Sequence, residues 1–215
     1  MKYKRPVYLF LIVILVALVT YGILYTRKHV ETKTSFSDFQ LQNPSERDAA
    51  FSARLAEAID KATAEWHSDA ALVAVNIVFN GAKISDMNPP VAFFVSEEDQ
   101  YAHDYTIEFK SDFSALGLAE ETEKSQSYQE TLYTEFFPED YKLGYAQILE
   151  IADGLGGANF RSQHPLSQLL LELSKNPQYG VEWSLYYTDI KDGKKGATYN
   201  LFFDATTGRL KKSNS

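Results

Sequence analysis

The residues best suited to carry chemistry lie in one short acidic stretch, SEEDQYAHD. Its carboxylate and imidazole side chains, Glu97, Glu98, Asp99, His103 and Asp104, are of the types that bind cations. A solvated acidic loop between two strands has the same composition, and no glycine stands where a calcium loop needs its sharp turn. The sequence therefore favours a loop, with a membrane-tethered metal-dependent hydrolase using Glu97, Asp99 and His103 as the enzymatic alternative.

The other residue patterns typical of enzymes do not occur in the sequence. The chain has no cysteine, and its four histidines, His29, His67, His103 and His164, form no H-E-x-x-H zinc motif. No G-x-S-x-G or S-x-x-K motif marks a serine nucleophile. The acidic pairs Glu120-Glu121 and Glu139-Asp140 lie in polar surroundings, which do not indicate a general acid or base.

The glycine-rich segment GLGGANF, residues 154–160, could suggest a phosphate-binding loop. Such a loop needs a strand before it and a helix directly after it. Here a predicted helix precedes the glycines, and no Gly-Lys-Ser or Gly-Lys-Thr follows, so the segment predicts the end of a helix. We therefore expect a protein that is not an enzyme, with no catalytic residue, no cofactor and no metal.

The N-terminal residues predict a membrane anchor. No charged residue occurs from Val7 to Tyr25, and a helix of that length spans roughly 28 Å, close to the hydrocarbon thickness of a bilayer. A cleaved signal peptide is the alternative, but its apolar region is usually shorter and no A-x-A site follows. We expect an uncleaved anchor over residues 1–28 and a polar tether over residues 29–44. The N-terminus is expected on the cytoplasmic side of the membrane, and the chain after the anchor on the opposite side.

The rest of the chain is acidic. After residue 30 it contains 16 basic and 29 acidic side chains, and the ending RLKK is its one short basic cluster. This charge repels nucleic acid, so the expected partners are the membrane, through the N-terminal helix, and an envelope protein or peptide.

Residues 45–112 predict a helix followed by about three antiparallel strands. Asn43 can cap the helix and Pro44 suits its first position. Apolar residues then recur at spacings of three and four: Phe51, Leu55, Ala58, Ile59, Ala62 and Trp66. Alternation predicts the strands, with Val73, Val75, Ile77 and Phe79 on one face of the first, Val91, Phe93 and Val95 in the second, and Tyr105, Ile107 and Phe109 in the third.

Residues 141–215 repeat this order after an acidic and aromatic connector over residues 113–140. KLGYAQILEIAD predicts a short helix, and a second helix is expected from Pro165, with Leu166, Leu169, Leu170 and Leu173 on one face. YGVEWSLYYTDI and ATYNLFFD predict strands joined by a turn at Asp192-Gly193. The two helix-plus-strands units could form one sheet or two domains.

The closing stretch YNLFFDATTGRL predicts a strand, a corner and an edge. Asp204 can accept N–H groups of the following residues, Gly208 can adopt a positive φ, and the lysines after it discourage unwanted strand pairing. An alternating strand leading into Asp-Ala-Thr-Thr-Gly-Arg-Leu, with a helix and a Trp-bearing strand upstream, resembles the PepSY domain, a small α+β module of bacterial envelope proteins. The resemblance covers roughly residues 142–212 and, more loosely, 45–110. It implies a non-catalytic binding or regulatory module outside the cytoplasmic membrane that acts on peptidases or envelope partners.

The expected fold class is therefore α+β: a transmembrane helix followed by antiparallel sheet packed by helices, PepSY/cystatin-like. Tyr186 and Phe202 lie on strand faces opposite Trp183 and Leu201. If both are exposed, they are the candidate partner surface. A structural subunit of an envelope complex, held through its membrane helix, is the remaining alternative.

Overall fold

The structure is a computed structural model that describes residues 43–81, 87–123, 134–191 and 194–214. The predicted anchor, most of the predicted tether and the predicted Asp192-Gly193 turn lie outside these residues. Within them, no helix is both long and apolar enough to cross a bilayer. The described chain is α+β, with helices packed on an antiparallel sheet.

Helix α1 spans Pro44–Glu65, as the sequence predicts. Its four buried apolar residues belong to the predicted stripe: Phe51, Leu55, Ala58 and Ala62. Asn43 is the capping residue, but its side-chain amide donates to Glu46 Oε2 at 3.0 Å and makes no cap bond to the helix backbone. The start of the helix is therefore correct, whereas the expected capping bond is replaced by a contact between side chains.

In the described part of the chain, eight strands form one sheet. The first four are β1 (Ala71–Asn80), β2 (Val91–Val95), β3 (His103–Phe109) and β4 (Leu116–Glu123). The second four are β5 (Gln168–Asn176), β6 (Gly180–Lys191), β7 (Lys194–Asp204) and β8 (Leu210–Asn214). Their order is β4-β3-β2-β1-β5-β6-β7-β8, and every neighbouring pair is antiparallel. The two groups therefore join at β1 and β5, and β4 and β8 are the edge strands.

The helical elements between the two groups are short. A 3₁₀ turn covers Pro138–Asp140, helix α2 covers Tyr145–Ala152, a π-helical turn covers Asp153–Gly157, and helix α3 covers Ala158–Gln163. The sequence predicts that the glycines end α2, but the chain continues through them into α3. Gly156 makes the kink with a φ of 115°, a backbone conformation that residues other than glycine rarely adopt.

A buried carboxylate joins the two longer helices. Asp48 of α1 accepts backbone N–H groups from Ala146 at 2.8 Å and Gln147 at 3.1 Å, which are the free donors in the first turn of α2. Gly144 makes this possible, because a side chain there would overlap the Asp48 carboxyl group. These two hydrogen bonds fix α1 and α2 to each other on the same face of the sheet.

The core lies between the helices and one face of the sheet. Phe51, Tyr145 and Trp183 belong to it, and the Trp183 indole donates to the Leu143 carbonyl at 2.9 Å. The opposite sheet face carries the alternate residues of each strand, including Asn76, Glu172 and Phe202, and we call it the helix-free face. In the described part of the chain, the helices pack against the core face of the sheet and not against the helix-free face.

The helix predicted from Pro165 is wrong. Gln168–Asn176 is the central strand β5, whose Leu169, Leu171 and Leu173 are buried in the core while Leu170 lies on the helix-free face. Leu166, expected on the apolar face of a helix, is exposed. The run of three leucines fits both a helical and an alternating pattern, and pairing with β1 and β6 decides in favour of the strand.

Two other parts of the first group differ from expectation. Leu116–Glu123, assigned to the connector by sequence, forms the edge strand β4. In β2 the core residues are Ala92 and Phe94, so Val91 and Phe93 lie on the helix-free face. A bulge between Leu72 and Ala74 brings Leu72 into the core cluster at the start of β1, next to Val73, the residue expected on that face.

Candidate functional site

The candidate site of the sequence, the β2–β3 loop, is organised by one carboxylate outside it. Asp69 lies just before β1, and it accepts the Ser96 hydroxyl at 2.6 Å and the backbone N–H groups of Glu97 at 2.8 Å and Glu98 at 3.0 Å. The hydrogen bond from Ser96 lowers the pKa of Asp69 below its ordinary value. Asp69 therefore holds the start of the loop against the start of β1.

A second carboxylate holds the end of the same loop. Asp99 accepts the backbone N–H of His103 at 2.8 Å, and its Oδ2 lies 3.0 Å from the ring Nδ1 of that residue. The hydrogen bond to Asp99 raises the pKa of His103, and the Glu121 carboxylate, 3.7 Å away, acts in the same direction. Burial acts to raise the pKa of Asp99, but the bonds from His103 outweigh it and the pKa is lowered. Asp99 and His103 thus form a hydrogen-bonded pair that closes the loop, and the pair is ionic when His103 is protonated.

The structure does not gather the five predicted cation ligands into one group. Among the described residues, one group of three such side chains has its ligand atoms within 4.8 Å of one another, and it consists of His67, Asp69 and Glu98. His67 and Asp69 were not among the predicted ligands, yet they lie between α1 and β1, where the start of β1 meets the end of β2. Antiparallel pairing of β1 with β2 is the signal that could have identified them.

A cavity of about 450 Å³ opens beside this loop. It is lined by Asp69, Ala71, Val95, Glu97, Tyr101, Thr134 and Glu135. Three of these side chains are carboxylates, and Tyr101 donates its hydroxyl to Glu97 Oε1 at 2.9 Å. The lining is therefore anionic and suits a cationic group better than an anion.

The predicted aromatic pair is assembled on the helix-free face. The rings of Tyr186 and Phe202 pack edge to face with centroids 5.8 Å apart, and Lys212 Nζ lies 6.0 Å from the Phe202 centroid. Both aromatic side chains are half-buried between their neighbours, so they are less exposed than the prediction required. Burial raises the pKa of Tyr186.

Two other polar residues have structural roles. Asp204 accepts the backbone N–H groups of Thr206 at 3.1 Å and Thr207 at 2.8 Å, which confirms the predicted corner, and Gly208 has a φ of 70°. Arg161 is buried beneath the π-helical turn, where its Nη2 lies 2.7 Å from Asp153 Oδ1. Asp204 and Asp153 therefore each hold a turn in place.

Comparisons with known proteins add little to this site. No protein-family model and no curated protein matches the sequence. A crystal structure of a candidate lipoprotein from Clostridium difficile 630 is similar at 14% identity, over 75% of this chain and 91% of that chain, with a TM-score of 0.45. A likeness of this strength does not carry a functional argument, and the resemblance to PepSY domains stays a prediction.

Proposed function

We propose that this protein is a membrane-anchored, extracytoplasmic binding or regulatory protein of the cell envelope that acts through protein or peptide contacts. The observation that carries the proposal is the helix-free face of the sheet. There the rings of Tyr186 on β6 and Phe202 on β7 pack together with centroids 5.8 Å apart. Aromatic residues are enriched among the residues that dominate binding energy at interfaces. A partner that covers the two rings would bury the part of their surface that the fold leaves exposed.

Four acidic side chains of the described chain have structural roles. Asp48, Asp69, Asp99 and Asp204 each accept at least one backbone N–H group, and each holds a loop or a helix end in place. A general acid or base needs its proton-accepting atoms directed at a substrate. These carboxylates direct theirs at the protein's own backbone.

The location in this proposal rests on the sequence. The uncharged run from Val7 to Tyr25 lies outside the described residues, and its length matches a single membrane span. Modulation of a peptidase is the specific activity that the resemblance to PepSY domains implies.

A photo-crosslinking experiment tests the partner surface. The full-length chain carries a photoreactive benzoylphenylalanine in place of Tyr186 and is expressed in its native cells. We expect one discrete crosslinked partner, identified by mass spectrometry, and its loss when Phe202→Asp is added.

The matched control places the same photoreactive residue at Leu155, which is exposed in the π-helical turn on the helix side. Capture of the same partner from both positions contradicts the proposal, and so does the absence of any captured protein from position 186.

A further inference from the structure

The two edges of the sheet carry opposite charge. Edge strand β4 presents the exposed acids Glu120, Glu121 and Glu123. Edge strand β8 and the residue before it present Arg209, Lys211 and Lys212. In the described part of the chain, no further strand pairs with the outer side of either edge. Each edge therefore offers free backbone donors and acceptors beside a charged row.

The charged residues of the two edges differ in their contacts within the fold. Lys211 Nζ lies 3.6 Å from Glu182 and 3.9 Å from Asp204, and Glu121 accepts the Trp66 indole N–H at 3.1 Å. By contrast, no described residue forms an ion pair with Glu120, and Lys212 Nζ lies over the Phe202 ring, 6.0 Å from its centroid, with no carboxylate partner among the described residues. These two are the charges that an incoming strand would meet.

The strand directions allow the two edges to pair with each other. All seven neighbouring pairs are antiparallel, so with eight strands β4 and β8 run in opposite directions. A second copy moved along the sheet, without being turned over, places its β4 beside β8 of the first copy. The antiparallel alternation then continues, and the helices of both copies stay on the same side.

The side-chain faces agree with this arrangement. Glu120 is opposite Thr106 in the β3–β4 ladder, and Lys212 is opposite Phe202 in the β7–β8 ladder, so both lie on the helix-free face. In the continued sheet they lie on one face, where opposite charges on neighbouring strands attract. The exposed Leu118 on β4 would also be covered, and a bare apolar side chain on a free edge is otherwise an aggregation risk.

The same charges oppose pairing of identical edges. Two β4 strands would bring glutamates together, and two β8 strands would bring lysine and arginine together, which is unfavourable in both cases. A contact between unlike edges is heterologous, so it closes into a ring or continues as a row. We propose that copies of this protein associate head to tail, with β4 of one copy adding to β8 of the next and Glu120 facing Lys212. The contact is made by the edge strands, and Lys212 adjoins the partner surface around Tyr186 through the Phe202 ring.

Cysteine crosslinking tests the contact in the full-length chain, because the natural sequence contains no cysteine. With Glu120 opposite Lys212, antiparallel pairing places Leu118 of one copy opposite Asn214 of the next. Leu118→Cys and Asn214→Cys are expressed as two differently tagged chains in the same membranes and then oxidised. We expect a covalent dimer that contains both tags, and none from either variant alone.

Two sets of controls decide the outcome. Glu121→Cys replaces Leu118→Cys as the matched control, since position 121 lies on the core side of β4 and should not crosslink to position 214. Glu120→Lys or Lys212→Glu, added to both crosslinking chains, should reduce the mixed dimer at least several-fold, and the two reversals together should restore it.

Absence of the mixed dimer overturns the proposal, as does a dimer formed equally well by one variant alone or by the Glu121→Cys control. Charge reversals that have no effect overturn it as well. Since the readout is contact between copies, failure here leaves the capture of a different protein by position 186 as a separate result.

Discussion

At the scale of single residues, the pair of Asp99 and His103 shifts the protonation of both side chains of the β2–β3 loop in opposite directions. The bond to Asp99 raises the pKa of His103 above 6.5, and the bonds from His103 bring the pKa of Asp99 below 3.8. The contribution of protonated His103 to folding stability is therefore complete below pH 6.5 and is lost as the pH rises through its raised pKa. The contribution of ionised Asp99 is present above pH 3.8 and is lost as the pH falls through its lowered pKa.

We therefore predict that Asp99→Asn returns the pKa of His103 toward 6.5. NMR titration of the imidazole resonances measures this pKa directly. Glu97→Gln is the matched control, because this carboxylate of the same loop accepts the Tyr101 hydroxyl and does not bond to His103. An unchanged His103 pKa in Asp99→Asn would contradict the pairing.

At the scale of elements, the π-helical turn depends on close packing at one glycine. A side chain at Gly157 would overlap the Tyr187 hydroxyl and lie 3.0 Å from the Ala152 carbonyl oxygen, whereas nothing lies within 4 Å of a side chain at Gly154. The two glycines are in the same turn and differ in what surrounds them. They form a matched pair for measuring the packing.

We predict that Gly157→Ala lowers the free energy of unfolding by about 1–3 kcal/mol, the usual range for overpacking a filled site. Gly154→Ala should be neutral or stabilising by up to about 1 kcal/mol, because alanine favours helical backbone. Denaturant unfolding measures both. Tyr187→Phe should reduce the cost of Gly157→Ala, since it removes the nearest atom. Equal effects of the two alanines would show that the turn is not closely packed.

Elements with a single strong period were predictable from sequence, and elements with two possible periods were not. Helix α1 has a clear spacing of three and four, and β6 alternates over its buried Val181, Trp183, Leu185 and Tyr187. In β5 three consecutive leucines satisfy both patterns, and pairing with two distant strands makes the difference. Strand β4 has a weak pattern, because an edge strand with few core contacts needs few apolar residues.

The candidate site shows the same limit. The Asp99 and His103 contact is local in sequence, four residues apart, so the right residues could be named from sequence alone. Asp69 reaches the loop from 27 residues away through the pairing of β1 with β2. Contacts of that kind follow from the sheet, and the sequence does not specify them without it.

At the scale of the whole molecule, the sheet consists of two similar halves. Each half begins with helical structure and continues as four antiparallel strands, and the halves meet through β1 and β5. Joining them in this way leaves two edge strands, β4 and β8. An even number of strands lies between these two edges, so the edges run in opposite directions. The opposite directions of the two edge strands, which the proposed head-to-tail contact requires, are a consequence of this arrangement.

The proposed location makes a prediction for the entire chain. Because the sequence has no cysteine, a single introduced thiol reports on one position without background. Ser213→Cys, exposed on β8, should react with a membrane-impermeant maleimide in intact spheroplasts, and Lys2→Cys should react only after lysis. This expectation follows from a membrane helix over Val7 to Tyr25 with its short N-terminal end inside. Labelling of Lys2→Cys in intact spheroplasts, with Ser213→Cys protected, would reverse the orientation. Recovery of both variants in the wash without membranes would rule out the anchor, because an uncleaved apolar helix of that length keeps a protein in the bilayer.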